Sequence, residues 1–134
     1  MSGLLRLGTR ASPLAIAQTS LVCNRLSEML PELELEVVEI VTTGDRVVDR
    51  RLSEIGGKGL FAKEIEEALM AGRIDAAVHS MKDLETHLPS GLSIGAVLER
   101  EDPRDAFIGK DALALEVLPE GAVVGTASLR RQAQ

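Results

Sequence analysis

The chain has 134 residues, a formal net charge of −6 and 45% hydrophobic residues, which suits one ordinary domain or one domain plus part of a second. Its core must be aliphatic, because Trp and Tyr are absent and the only aromatic residues are Phe61 and Phe107. The acidic balance argues against non-specific nucleic acid or anionic membrane binding, both of which need a basic face. The single cysteine excludes an intrachain disulfide, and no metal site is expected from two isolated histidines.

Met1-Ser2-Gly3-Leu4-Leu5-Arg6 lacks the charged leader and long apolar region of a signal peptide, and no apolar span suits a membrane helix. A soluble, cytoplasmic protein is the expectation. Leu4 to Gly8 reads as a strand that runs into Thr9-Arg10-Ala11-Ser12-Pro13. Ser12 followed by Pro13 is a helix start with a mechanism: the hydroxyl caps a free N–H, and proline suits the first helical position. Leu14, Leu21, Leu26 and Met29 then recur near helical spacing until Pro31. Cys23 falls inside this pattern and reads as a small core or flank residue.

Leu33, Leu35 and Val37 alternate with glutamates and lead into a second strand, Val38 to Thr42. From Thr43 to Gly59 the apolar periodicity dissolves, and Gly56, Gly57 and Gly59 suggest a mobile flap. Gly56-Gly57-Lys58-Gly59 is not a Walker loop, since the spacing and the hydroxyl residue after the lysine are missing. Leu60 to Ala71 returns to helical spacing, with Phe61, Ile65, Ala68 and Leu69 on one side and Gly72 as the stop.

Gly72-Arg73-Ile74-Asp75-Ala76-Ala77-Val78 is an apolar run that ends abruptly in Ser80, Lys82 and Asp83. Buried strands of α/β proteins carry their chemistry at such carboxyl ends. A surface turn with a solvated Lys and Asp is the plainer alternative. His87 reads as a solvated loop residue, and Leu92 to Leu98 as another strand. Arg100-Glu101-Asp102-Pro103-Arg104-Asp105 is a charged break, read as a crossing between domains or as a plain surface loop. Beyond it the pattern predicts a short strand over Ala106 to Ile108, a short helix over Asp111 to Leu118 and a last strand over Ala122 to Gly125. Gly125-Thr126-Ala127-Ser128 repeats the logic of Gly8-Thr9-Arg10-Ala11-Ser12: a strand, Gly-Thr, then a Ser poised to cap a helix with arginine nearby. The likeness is short enough for chance to explain it.

Helix N-termini offer unpaired N–H groups to carboxylate or phosphate. Arg10, Arg130 and Arg131 add forked donors that match carboxylates, and Lys82 and Lys58 add compact charges. An acidic protein with cations gathered at strand ends suits a multiply anionic small molecule held between lobes. Asp83 is the exception among these cations. An ionised acid there could stabilise positive charge in a reacting ligand or take part in proton transfer, which tilts the reading from carrier to enzyme.

Leu7-Gly8-Thr9-Arg10-Ala11-Ser12-Pro13-Leu14-Ala15, Gly56-Gly57-Lys58-Gly59-Leu60-Phe61, Val78-His79-Ser80-Met81-Lys82-Asp83, Glu101-Asp102-Pro103-Arg104-Asp105-Ala106 and Gly125-Thr126-Ala127-Ser128-Leu129-Arg130-Arg131-Gln132 together resemble the porphobilinogen deaminase (hydroxymethylbilane synthase) family. The resemblance implies an α/β fold like that of type II periplasmic binding proteins. It places a nearly complete first lobe at residues 1–99 and a hinge and truncated second lobe at 100–134, with a third domain absent. It also implies a monomeric transferase of haem biosynthesis that joins four porphobilinogen molecules head to tail with release of ammonia, on a covalent dipyrromethane cofactor. Asp83 matches the family's catalytic aspartate, which stabilises cationic intermediates. Arg10, Ser12, Ser80, Lys82, Thr126, Ser128, Arg130 and Arg131 match positions that hold acetate and propionate groups. Lys58 and Phe61 match the flap and the helix start beside the site.

Two departures stand out. Leu84-Glu85-Thr86 replaces the family's proline after the aspartate, which loosens the loop and adds a negative charge. The chain also ends inside the second lobe, and Cys23 does not match the cofactor-attaching cysteine; an N-terminal piece, inactive alone, is expected. The alternative is a cytoplasmic carboxylate-binding module of the same lobed fold.

Overall fold

Leu4–Arg10 forms β1, the middle strand of a three-stranded sheet in the order β2-β1-β3, with β2 spanning Glu34–Ile40 and β3 Ala76–Ala77. Both pairings are parallel, Leu4 to Arg10 lying opposite Glu34 to Ile40, and Leu7 and Gly8 opposite Ala76 and Ala77. The computed structural model describes residues 3–46, 59–110, 114–126 and 128–133, in two units, Met1–Leu98 and Glu99–Gln134.

The β1–β2 crossover in the first unit is helix α1, Pro13–Met29. Ser12 starts it as expected, its Oγ accepting the Ala15 N–H at 3.3 Å with Pro13 at the first position. The spacing of Leu14, Leu21, Leu26 and Met29 points to an apolar face, yet Leu14, Leu21 and Met29 are exposed and the helix buries Thr19. A polar contact accounts for this: Thr19 Oγ1 donates either to Thr9 Oγ1 on β1 or to the Ala15 carbonyl, each at 2.8 Å. A short hydroxyl pair satisfied in this way is tolerated where a lone buried hydroxyl would not be.

Helix α2, Thr43–Arg46, follows β2 directly, so the expected loop begins with a helical turn. The rest of the expected flap, 47–58 with Lys58, lies outside the described residues. Helix α3 is Lys63–Met70, shorter than the expected 60–71. Residues 59–62 form a turn first, with the Ala62 and Lys63 N–H groups both bonded to the Gly59 carbonyl. Gly72 ends the helix at φ +65°, a left-handed conformation that costs glycine little, and its N–H bonds the Leu69 carbonyl.

Ile65 and Ala68 of α3 form the core with Ile74, packed against Val38, Ile40, Leu69 and Ala77. The core of this unit is aliphatic, as composition demands. Regular pairing of β3 covers two residues, but Asp75 N–H bonds the Arg6 carbonyl and Val78 N–H bonds the Gly8 carbonyl on either side. At the amino end Arg6 also forks onto Asp75 at 2.7 and 3.0 Å, a pair that drops the Asp75 carboxyl to about 2.

Three expected strands are not strands: Leu92 to Leu98, Ala106 to Ile108 and Ala122 to Gly125 have no regular pairing. A strand is stable only beside a neighbour, and among the described residues none pairs with them; Ile108 and Val123 are 93% and 97% exposed. Apolar content alone does not make a sheet. The expected helix over Asp111 to Leu118 is a 3-10 turn, Leu115–Val117, with 111–113 outside the described residues. The second unit ends in helix α4, Leu129–Gln132, capped by Ser128 Oγ, which accepts the Arg131 N–H.

Candidate functional site

In a parallel sheet the strand order decides where a ligand can sit. The chain runs from β1 to β2 on one side and then returns to β3 on the other, so the order reverses at β1, and the crevice beyond the carboxyl ends there is the usual binding place. β1 ends in Arg10, β2 leads to Thr42 and Asp45, and β3 leads to Ser80, Lys82 and Asp83. Arg10, Ser12, Ser80, Lys82 and Asp83, all expected from sequence, line one cavity of about 80 Å³ together with Leu14, Ala15, Val78 and His79.

Asp83 is at the end of a 3-10 turn, Met81–Asp83, its N–H bonded to the Ser80 carbonyl at 3.0 Å. Arg10 Nη1 donates to Asp83 Oδ2 at 3.4 Å, with both side chains about four-fifths buried. Arg10 is held harder by a residue that sequence reasoning passed over. Its Nε is 3.2 Å from both Asp45 oxygens, and its Nη2 donates to Asp45 Oδ1. Asp45 in turn accepts the Thr42 hydroxyl at 2.7 Å and the Thr42 N–H at 3.4 Å. The Arg10 bonds, partly offset by burial, hold the Asp45 carboxyl below the usual carboxylate range, and the same bonds raise Arg10. Thr42-Thr43-Gly44-Asp45 had the signal that marked the other sites, hydroxyls and an acid at a strand end, but the glycines after it draw the eye to a flap.

The Phe61 ring lies under the Arg10 guanidinium, 4.1 Å from ring centre to Cζ, a cation–π contact. Phe61 is fixed from three directions. The Leu60 carbonyl accepts the Gly44 N–H at 2.8 Å, the Phe61 carbonyl is 3.1 Å from His79 Nε2, and the ring lies against Gly44. Thr43 adds a further tie, its N–H and hydroxyl both donating to Glu64 Oε1. Burial opposes ionisation of Glu64, but the bonds from Thr43 prevail and keep its carboxyl below the usual range. His79 thus carries a structural duty, its other ring nitrogen 3.1 Å from the Ser80 carbonyl. Ser80 Oγ donates to Gln18 Oε1 at 2.8 Å, tying the β3 end to α1. Nothing in the sequence singles out Gln18.

Asp83 also lines a second cavity of about 340 Å³ with Gly59, Leu84, Glu85, Thr86 and His87. The first cavity is below the ~300–1,000 Å³ of a small-molecule site and suits an anionic arm; the second is within that range. Glu85, from the Leu84-Glu85-Thr86 departure, lines this second cavity along with Asp83.

Four of the remaining expected site residues, Thr126, Ser128, Arg130 and Arg131, belong to the second unit. Ser128 caps α4, and Thr126 Oγ1 accepts the Ser128 N–H at 3.1 Å. Arg131 forks onto Asp105, Nε to Oδ2 at 2.8 Å, which lowers the Asp105 carboxyl, while Arg130 is exposed in the last turn. Lys58 lies outside the described residues. Among the described residues no cluster of His, Cys, Asp or Glu could hold a metal ion, and no helix is long and apolar enough to cross a membrane.

The sequence is similar to a family described as "Porphobilinogen deaminase, dipyromethane cofactor binding domain", whose model matches residues 5–134. It is 59% identical over 140 residues to the porphobilinogen deaminase of Phenylobacterium zucineum, covering 98% of this chain and 44% of that relative. Identity to the Bacillus pumilus protein of the same name is 57% (97% of this chain, 42% of the relative), and to that of Bacillus subtilis 54% (100% and 43%). The chain therefore spans less than half the length of these curated relatives. With 130 of its residues matched by the family model, the chain belongs to the porphobilinogen deaminase family.

Proposed function

We propose that this chain carries the catalytic acid of a hydroxymethylbilane synthase, the transferase of tetrapyrrole biosynthesis that joins four porphobilinogen molecules head to tail and releases ammonia. One observation carries the reading: a single carboxylate, Asp83, borders both a small cavity with Arg10, Ser12, Ser80 and Lys82 and a larger one beside it. Porphobilinogen bears acetate and propionate arms and an aminomethyl group. The arms suit Arg10 and Lys82 and the capped start of α1. As the amine leaves, positive charge develops on the pyrrole, and an oriented carboxylate stabilises it most effectively in a site shielded from water.

The residues fit a dipyrromethane as well as a substrate, since both present carboxylate arms to cations and pyrrole N–H groups to an acid. When bound, that cofactor supplies the nucleophilic pyrrole carbon that starts the chain. Arg10 and Lys82 would hold its arms, and Asp83 would accept pyrrole N–H bonds. We assign residues 1–99 to the first α/β lobe and 100–134 to the hinge and the beginning of the second, where Thr126, Ser128, Arg130 and Arg131 would bind further arms. Lys58 and Phe61 belong with the flap and the helix start. A cytoplasmic monomer is the corresponding reading.

The test is a chimera in which this chain replaces the matching residues of the Bacillus subtilis relative. It should convert porphobilinogen to hydroxymethylbilane, and Asp83→Ala should abolish elongation with the fold intact. Undiminished turnover by Asp83→Ala would remove the acid from the mechanism. Simple dicarboxylates binding as tightly as porphobilinogen, with no ammonia released, would favour a carboxylate-binding module.

A further inference from the structure

A guanidinium has five N–H donors on three nitrogens, and at Arg10 each nitrogen has a definite partner. Nε and Nη2 form one edge and face Asp45; Nη1 faces Asp83 at 3.4 Å. The flat face rests on Phe61 at 4.1 Å. Asp45 is itself steered by Thr42, which is fully buried and donates from both its hydroxyl and its N–H. The two carboxylates therefore hold Arg10 unequally: Asp45 takes a two-pronged edge, while Asp83 takes one long bond.

Resting on the reading of Asp83 and Arg10 above, we propose that Asp45 is a positioning residue for the deaminase reaction. By occupying the Nε/Nη2 edge it keeps Arg10 from closing a two-pronged pair on Asp83, so that the Asp83 carboxylate stays open to the pyrrole. It also leaves the second Nη1 hydrogen available to a ligand carboxylate. Forked pairing is the strongest geometry open to a guanidinium and a carboxylate. Without Asp45, the nearest carboxylate for that fork is Asp83, and the reacting ligand would then compete with Arg10 for the acid it needs.

Asp45→Asn, which keeps size and removes the charge, tests this. In the chimera kcat should fall about 10- to 100-fold, the scale of a misplacement near 1 Å. Asp45→Glu should restore part of the rate. In the 134-residue chain, the Arg10 Nε–H should give an exchange-protected NMR resonance that Asp45→Asn loses while backbone spectra stay native-like. Thr42→Val retains both charges and removes the steering hydroxyl, so it should lower kcat in the same direction by less, which serves if Asp45→Asn folds poorly. A protected Arg10 Nε–H persisting in Asp45→Asn, or an unchanged kcat, overturns the proposal. Turnover surviving Asp83→Ala overturns the functional reading beneath it, and the proposal with it.

Discussion

Gly44→Ala sets two principles against each other with opposite signs. Gly44 is the second residue of α2 and is not left-handed, so backbone propensity alone predicts that alanine stabilises the helix by up to about 1 kcal/mol. Packing predicts the reverse. A Cβ there would be 2.2 Å from Phe61 Cε1, 2.4 Å from Cδ1 and 2.8 Å from Cζ. Carbon atoms in contact sit at ~3.5 Å, so the ring must withdraw by about 1.3 Å while Arg10 lies on it and His79 and Gly44 hold the backbone beside it. Overpacking of this kind costs about 1–3 kcal/mol. With a urea m-value of ~1–3 kcal/mol/M, the unfolding midpoint should fall by about 1 M. Phe61→Leu supplies the control: with the ring gone, adding alanine at 44 should cost far less, giving a coupling that exceeds the additive expectation. If Gly44→Ala raises the midpoint, or costs the same in both backgrounds, the packing of Gly44 on Phe61 described here is wrong.

Asp75 gives a pH prediction with a definite sign. Its carboxyl is lowered to about 2 by Arg6, so the pair's contribution should be complete above about pH 4, the ordinary carboxylate value, and fade as pH falls towards 2. Unfolding midpoints of wild type and Asp75→Asn should therefore differ at neutral pH and converge in acid; a gap that persists at pH 2 would contradict this. Ser12→Ala should cost about 1 kcal/mol, the ordinary loss of an N-cap, read by urea denaturation. It should also weaken porphobilinogen binding in the chimera, because the same residue lines the basic cavity. Loss of stability with unchanged binding would confine Ser12 to its cap. Asp105→Asn, by contrast, removes an exposed partner of Arg131 and should leave the urea midpoint essentially unchanged.

The parts of this fold legible in the sequence were those whose causes are local. Ser12-Pro13 placed the start of α1 because a cap and a fixed φ act within one turn. The helix over 63–70 was legible because four apolar positions repeat with the helical period. Leu92 to Leu98 and Ala122 to Gly125 failed for the opposite reason: strand formation depends on a neighbour elsewhere in the chain, which no window of residues contains. The same distinction divides the site. Arg10, Ser12, Ser80, Lys82 and Asp83 could be named because each follows an apolar run that reads as a strand, and strand ends in parallel sheets converge. Asp45 obeys the same rule, yet its importance comes from pairing across 35 positions with Arg10, and pairing is a property of three dimensions.

That difference bears on how Arg10 is shared between two carboxylates. Arg10 and Asp83 are opposite charges in a partly buried crevice, and left to themselves they would form a closed pair with nothing to offer a ligand. A third charge changes the outcome. Because β1 is in the middle, the end of β2 reaches Arg10 from one side and the end of β3 from the other. The strand order that creates the crevice also places a second carboxylate, Asp45, across Arg10 from Asp83. An arrangement with β1 at the edge would have one neighbouring strand end, and no means of dividing the guanidinium between two acids.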